Sequence, residues 1–187
     1  MIRKTIAAAL LAAHAVSAAQ VQEPSQGRIE IAGTAPNACV VRAPTAGSAT
    51  NASYQFDSNG GRVVIAQLVD SANRQGLAAG MSLTIPVICN GAHLLMVRSA
   101  NRGLALGGVA GQPNSGPFAA SVPYRVESEW GGETNGFLSN EAGGLEGLFH
   151  SARAGQMSLS ISIPAGGHPL IAGTYSDEIV LEFQAAN

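Results

Sequence analysis

Residues 172–183 read Ala-Gly-Thr-Tyr-Ser-Asp-Glu-Ile-Val-Leu-Glu-Phe, close to the end of the 187-residue chain. Successive side chains of a strand point to opposite faces, so large apolar residues at alternate positions share one face. In this stretch they are Tyr175, Ile179, Leu181 and Phe183. Glu178 and Glu182 take the opposite face. We predict that the segment is a strand deep in a sheet and that the four apolar side chains face its core.

The rest of the chain follows the same pattern. It is 46% hydrophobic and only 12% charged, and its 23 glycines interrupt any helical period. About eight short apolar runs, separated by turn-rich segments, predict a single all-β domain with an immunoglobulin-like β-sandwich fold. Pro86 cannot donate a ladder hydrogen bond, which predicts a sheet edge or a bulge in the run 81–90. Residues 131–147 are predicted to form a long loop, with one helical turn at residues 145–150.

The first residues have the features of an export signal. Arg3 and Lys4 precede a short apolar run, and small residues at 16–19 fit a cleavage site. We expect residues 1–19 to be a signal peptide, and residues 20–33 to form an extension before the domain at 34–187. Cleavage leaves 8 of the 10 basic residues against 12 acidic ones, which argues against a nucleic-acid-binding surface. No second hydrophobic stretch is long enough to anchor the chain in a membrane.

The chain has two cysteines, Cys39 and Cys89. Disulfides form and persist in the oxidising compartments that exported proteins enter, and the number of cysteines is even. We therefore predict a Cys39–Cys89 disulfide, with two free buried thiols as the alternative.

Patterns that carry catalysis are absent from the sequence. No Gly-x-Ser-x-Gly motif is present, and after cleavage three histidines remain, whose spacing matches no zinc motif. His93, His150 and His168 are each interpreted as solvated loop residues. Glu127 and Glu129 share a strand face and are interpreted as solvent coverage. We expect no enzymatic activity, no cofactor and no metal.

Several segments together resemble the spore coat protein U domain. The segments that carry the resemblance are 27–41 with Cys39, 86–90 with Cys89, 101–104, and the closing strand 172–183. This family comprises subunits of the archaic class of chaperone–usher pili. Membership would imply an incomplete immunoglobulin-like sandwich that lacks one strand, and roles in cell adhesion and biofilm formation. It would also imply passage through the periplasm to the cell surface.

The resemblance implies the partners as well. A periplasmic chaperone would first lend the missing strand, and the N-terminal segment of a neighbouring subunit would replace it at an outer-membrane usher. Such strand addition combines main-chain hydrogen bonds with alternate side chains in apolar sockets. The donor segment would be residues 27–31, with Ile29 and Ile31 as its plugs. The alternative is that these isoleucines belong to the first strand of their own domain.

Two other functions are considered. A secreted adhesin-like or carbohydrate-binding module would use Trp130, Tyr124 and the long loops, with Trp130 as a sugar-stacking platform; packing of Trp130 in the core is the alternative. A secreted hydrolase on a β-sandwich would need a convergent polar site, which the sequence does not provide.

Overall fold

The computed structural model describes residues 31–57, 60–141 and 144–186. The chain divides into Met1–Thr34 and a compact unit, Ala35–Asn187, which contains all the strands of the described residues. The strands are β1 (Cys39–Val41), β2 (Thr45–Thr50), β3 (Ala52–Asp57), β4 (Gly60–Ile65), β5 (Ala79–Cys89), β6 (His93–Ser99), β7 (Leu104–Leu106), β8 (Ser121–Val122), β9 (Arg125–Trp130), β10 (Glu133–Leu138), β11 (Leu145–Phe149), β12 (Arg153–Ile163), β13 (Tyr175–Ser176) and β14 (Ile179–Ala185).

All strand pairs of the described residues are antiparallel. The largest sheet has the order β1-β5-β12-β9-β10, with β2 pairing β5 beyond β1. A second sheet has the order β11-β6-β14, and the smaller sheets are β13-β7-β8 and the hairpin β3-β4. One apolar core lies between the two main sheets. The prediction of an all-β sandwich is therefore confirmed.

Alternation of side chains explains the core. Along β5, buried residues alternate with half-buried or exposed ones over eleven positions, as expected of a strand that packs one face on a core. β9 repeats the pattern with Val126, Ser128 and Trp130 buried. These two strands flank β12, where Met157 and Leu159 point into the same core.

The closing segment differs from its prediction. It divides into β13, which pairs β7, and β14, which pairs β6 and is an edge strand. The inward face was predicted correctly, since Tyr175, Ile179, Leu181 and Phe183 all pack against the core. The prediction that the strand lies deep in a sheet was wrong, because all four side chains are only half-buried. A charged residue at an inward position, Asp177, separates the two strands.

Pro86 lies beside the point where β1 ends and β2 begins, so β5 has a local edge there, as predicted. Its other side pairs Gln156 of β12. Two other expectations were wrong. Residues 145–149 form strand β11 and not a helical turn. The segment 131–138 was predicted as loop, but residues 133–138 form strand β10. Gly131 and Gly132, with φ of 66° and 84°, form the two-residue turn between β9 and β10.

Of the predicted N-terminal features, only the last residues can be compared with the structure. The signal peptide 1–19 and Ile29 lie outside the described residues. Residues 31–33 are described and are not in a strand. In the described part of the chain, no helix has the length and hydropathy needed to cross a bilayer.

Candidate functional site

The outer edge of β14 is unpaired in the part of the chain that the structure describes. β14 pairs β6 along its whole length, from Ile179 opposite Ser99 to Ala185 opposite His93. Within residues 31–57, 60–141 and 144–186, no strand pairs with its other edge. An edge strand leaves a row of backbone N–H and C=O groups available for another chain.

Side chains on the inner face of β14 are also incompletely covered. Leu181 and Phe183 lie opposite Val97 and Leu95, which are 0% and 2% exposed. Leu181 and Phe183 share that inward face but are only half-buried. The core is therefore closed over β6 and partly open over its neighbour β14.

The facing sheet is open at the same place. Val41 on β1 pairs Val87 on β5, and both point inward. Val87 is 0% exposed, whereas Val41 is 45% exposed. The two open edges meet at one end, where the Asn37 side-chain amide donates to the Ala92 carbonyl (2.8 Å) and to the Ala186 carbonyl (2.9 Å). We call the space between Val41 and the inner face of β14 the edge groove.

An aromatic cluster supports the groove at the disulfide end. His93, Trp130, Phe149 and Phe183 form this cluster. The His93 ring is 0% exposed and stacks on Phe149 with ring centroids 5.1 Å apart. Phe183 of β14 meets Trp130 edge-on at 5.9 Å. This cluster therefore holds β14 in position from the core side.

His93 was interpreted as a solvated loop residue, and that was wrong. The Trp130 Nε1–H donates to His93 Nε2 over 3.0 Å, and His93 Nδ1 lies 3.0 Å from the Gly91 carbonyl. Nε2 must accept and Nδ1 must donate, which assigns the neutral Nδ1–H tautomer. Both ring nitrogens are thus engaged.

The disulfide lies beside this cluster. Cys39 and Cys89 are bonded, as predicted, and they form the register pair that joins β1 to β5. The sulfurs and a His93 nitrogen lie within 4.8 Å of one another. The three residues do not offer a metal donor set in this state, because both sulfurs are in the disulfide and both ring nitrogens have partners.

A half-buried carboxylate, that of Asp177, anchors the start of β14. Asp177 Oδ2 accepts hydrogen bonds from the hydroxyls of Ser99 and Tyr124 and from the Gly103 N–H. Its Oδ1 accepts from the backbone N–H of Asn101 at 2.8 Å. Burial first, and then the bond to Asp177, raise the pKa of Tyr124 above its usual range, so that the hydroxyl stays protonated and donates. Asp177 therefore sets where β13 ends and β14 begins.

Replacing Asp177 by asparagine is expected to lower the free energy of unfolding by about 2 kcal/mol, because in either orientation of the amide its NH₂ group would face at least one backbone N–H donor, that of Gly103 or those of Asn101 and Glu178. Urea unfolding of the disulfide-intact protein measures this change. Glu178→Gln is the control, since Glu178 is an exposed neighbour and a surface change costs less than about 0.5 kcal/mol. Equal stability of Asp177→Asn and Glu178→Gln would contradict this role.

The other predicted residues do not form a site. Ile31 is 94% exposed. Trp130 and Tyr124 are 2% and 3% exposed, so Trp130 belongs to the core and neither ring offers a sugar platform. Glu127 is exposed and pairs with Arg125 at 2.7 Å.

His150 and His168 are also exposed. Neither lies within the histidine–cysteine group around the disulfide. Both therefore fit their interpretation as solvated residues.

Sequence reasoning missed two residues of this region. Asp177 interrupts the apolar alternation at an inward-facing position, and that interruption was the available signal. His93 had no comparable signal, because its partners Trp130 and Phe149 are distant in sequence. Comparison of this chain with protein-family models, with curated proteins and with solved structures gives no match.

Proposed function

We propose that this protein is a non-enzymatic structural subunit of a secreted or cell-surface pilus-type assembly, and that a strand of another polypeptide completes its sandwich. The observation that carries the proposal is the edge groove: a strand edge to which no strand of the described residues pairs, above inward-facing side chains that are only half-buried. Strand addition would satisfy the backbone groups of β14 and cover those side chains together. The resemblance to the spore coat protein U domain supports the same function.

The donor in this proposal is the N-terminal extension of a neighbouring copy, with Ile29 and Ile31 as plugs. Ile31 is 94% exposed, so its apolar side chain is available to a partner. Burial of each isoleucine contributes roughly 1.5–3 kcal/mol, and pairing along β14 adds main-chain hydrogen bonds. A periplasmic chaperone would occupy the groove during export, before exchange at an outer-membrane usher.

A peptide of residues 20–33 tests the proposal directly. Added to the purified domain 34–187, it is expected to raise the melting temperature in a concentration-dependent way, since a ligand of the folded state stabilises it by mass action. An Ile29→Asp/Ile31→Asp peptide is the matched control and should leave the melting temperature unchanged. The same two substitutions in the mature chain should abolish polymers seen by size exclusion.

Substitutions on the two faces of β14 provide a second control on peptide binding. Leu181→Glu should remove peptide binding, whereas Glu182→Gln, on the opposite face of the same strand, should retain it. Equal stabilisation by the native and Asp-substituted peptides, or polymers that persist after deletion of residues 20–33, would overturn the proposal.

A further inference from the structure

A cleft of about 550 Å³ lies at the end of the sandwich opposite the disulfide. Three loops form it: the segment before β5, the segment before β8 and the segment between β12 and β13. Most of its lining is apolar, and the main contributors are Leu68, Val69, Phe118, Leu170, Ile171 and Tyr175. This volume falls within the range of small-molecule sites.

The walls of the cleft are held by hydrogen bonds between the loops. Gly76 and Gly166 exchange backbone hydrogen bonds of 3.1 Å and 2.8 Å. The Ile171 N–H donates to the Ala119 carbonyl at 3.1 Å. The Tyr175 hydroxyl lies 3.0 Å from the Ala119 carbonyl and 2.8 Å from the Ile171 carbonyl. A ligand would therefore meet a preformed site, with little loop ordering to oppose binding.

Arg74 provides the charged group in the cleft lining. Within the described ranges its guanidinium has neither an ion pair nor a hydrogen bond. The Asp70 carboxylate, four positions earlier, accepts through Oδ1 from the N–H groups of Ala72 (2.7 Å) and Asn73 (3.2 Å). The cleft thus combines an apolar lining with an exposed guanidinium that has no ion pair among the described residues.

The backbone of Arg74 is also unusual. Its φ is 63°, in the left-handed region that is unfavourable for residues with a Cβ atom and favourable for glycine. Both of its backbone groups are held, because its N–H donates to the Asp70 carbonyl at 2.9 Å and its carbonyl accepts from Leu170 at 3.0 Å. Glycine would fit this turn with less strain, so the backbone conformation itself does not call for arginine at this position. Residues in such conformations are concentrated at functional sites.

We propose that this cleft binds a small amphipathic anion, a ligand with an aliphatic or aromatic body and one carboxylate. The body would lie against Leu68, Phe118 and Leu170, and the carboxylate would accept hydrogen bonds from the Arg74 guanidinium, with the Ser115 hydroxyl as a second donor. Guanidinium and carboxylate match in geometry as well as in charge. This site is separate from the edge groove and does not depend on strand addition.

Calorimetric titration of the mature protein with decanoate tests the proposal. Decanoate is expected to bind, and decanol, which has the same body without the charge, is expected to bind 10- to 100-fold more weakly, about the effect of one charge-assisted hydrogen-bond pair. Arg74→Gln should weaken decanoate binding by the same factor. Ala172→Phe should abolish it, since Ala172 lines the cleft and a phenyl ring there would fill the space.

Glycine substitution separates binding from folding. Arg74→Gly should remove decanoate binding while the melting temperature stays equal to that of the native protein or rises, because the left-handed turn is relaxed. Arg102→Gly is the matched control: Arg102 has a φ of 59° and does not line the cleft, so affinity should not change.

Three results would overturn the proposal. One is the absence of binding at millimolar decanoate. Another is equal affinity of the native protein and the Arg74→Gln and Ala172→Phe variants. The third is loss of self-association in Ala172→Phe without any decanoate binding by the native protein, which would assign the cleft to a second copy of this chain.

Discussion

Trp130→Ala is expected to lower the free energy of unfolding by about 3–5 kcal/mol, the usual cost of removing a large buried aromatic side chain. Trp130 is 2% exposed and contacts Phe149 and Phe183 edge-on, with centroids at 6.5 Å and 5.9 Å. Alanine would leave a cavity between the sheets and remove the hydrogen bond to His93. Since the free energy of unfolding of a domain is only about 5–15 kcal/mol, this substitution should remove a large part of it.

Urea unfolding of the disulfide-intact protein measures the effect. Trp130→Phe separates the loss of packing from the loss of the hydrogen bond. Phenylalanine keeps most of the ring packing but cannot donate a hydrogen bond to His93 Nε2. Its expected cost is about 1–3 kcal/mol, the penalty for a buried acceptor without a donor. Val109→Ala, at a side chain that is 53% exposed, should change stability by less than about 0.5 kcal/mol. A Trp130→Ala cost below that of Trp130→Phe would contradict the packing argument.

Loss of the disulfide should have a comparable effect. The Cys39→Ala/Cys89→Ala protein is expected to be less stable by about 4 kcal/mol, because the bridge closes a loop whose ends are separated by 50 residues and so restricts the unfolded chain. β1 has only three residues, and the bridge holds it on β5. We therefore expect the β1 side of the edge groove to loosen first.

Thermal unfolding with and without a thiol reductant measures this effect. The native protein should melt at a lower temperature in reductant, and the double alanine variant should melt at the same temperature in both conditions. A decrease of similar size in the variant would show that the reductant acts elsewhere. Stability that is unchanged by both the substitution and the reductant would contradict the contribution assigned to the bridge.

Side-chain alternation made much of the fold predictable. The inward faces of β9, β12 and the closing segment follow from apolar residues at every second position, as in Met157, Leu159 and Ile163. The turn at Gly131-Gly132 was missed although two consecutive glycines suit a two-residue hairpin. Residues 131–147 were interpreted as a loop because the segment is rich in glycine, although the two glycines at its start lie where a hairpin turn would be expected.

The groove and the cleft were less accessible to sequence reasoning. The cleft requires loops that begin near residue 68 and residue 170 to meet, and nothing local indicates that meeting. Arg74 looks like an ordinary polar loop residue until its φ and its neighbours are known. His93 is the same kind of case, since its burial depends on Trp130, 37 positions away.

By itself, the sequence determined that the chain is built of strands and which side chains share a face. These properties depend on side-chain chemistry and on a short period, both of which are local. Only the tertiary structure decided that β14 is an edge strand among the described residues, that His93 is buried and that Asp177 is half-buried among hydrogen-bond donors. The reason is physical: every residue except proline carries the same backbone donor and acceptor, so the choice of strand partner depends on how distant segments pack together.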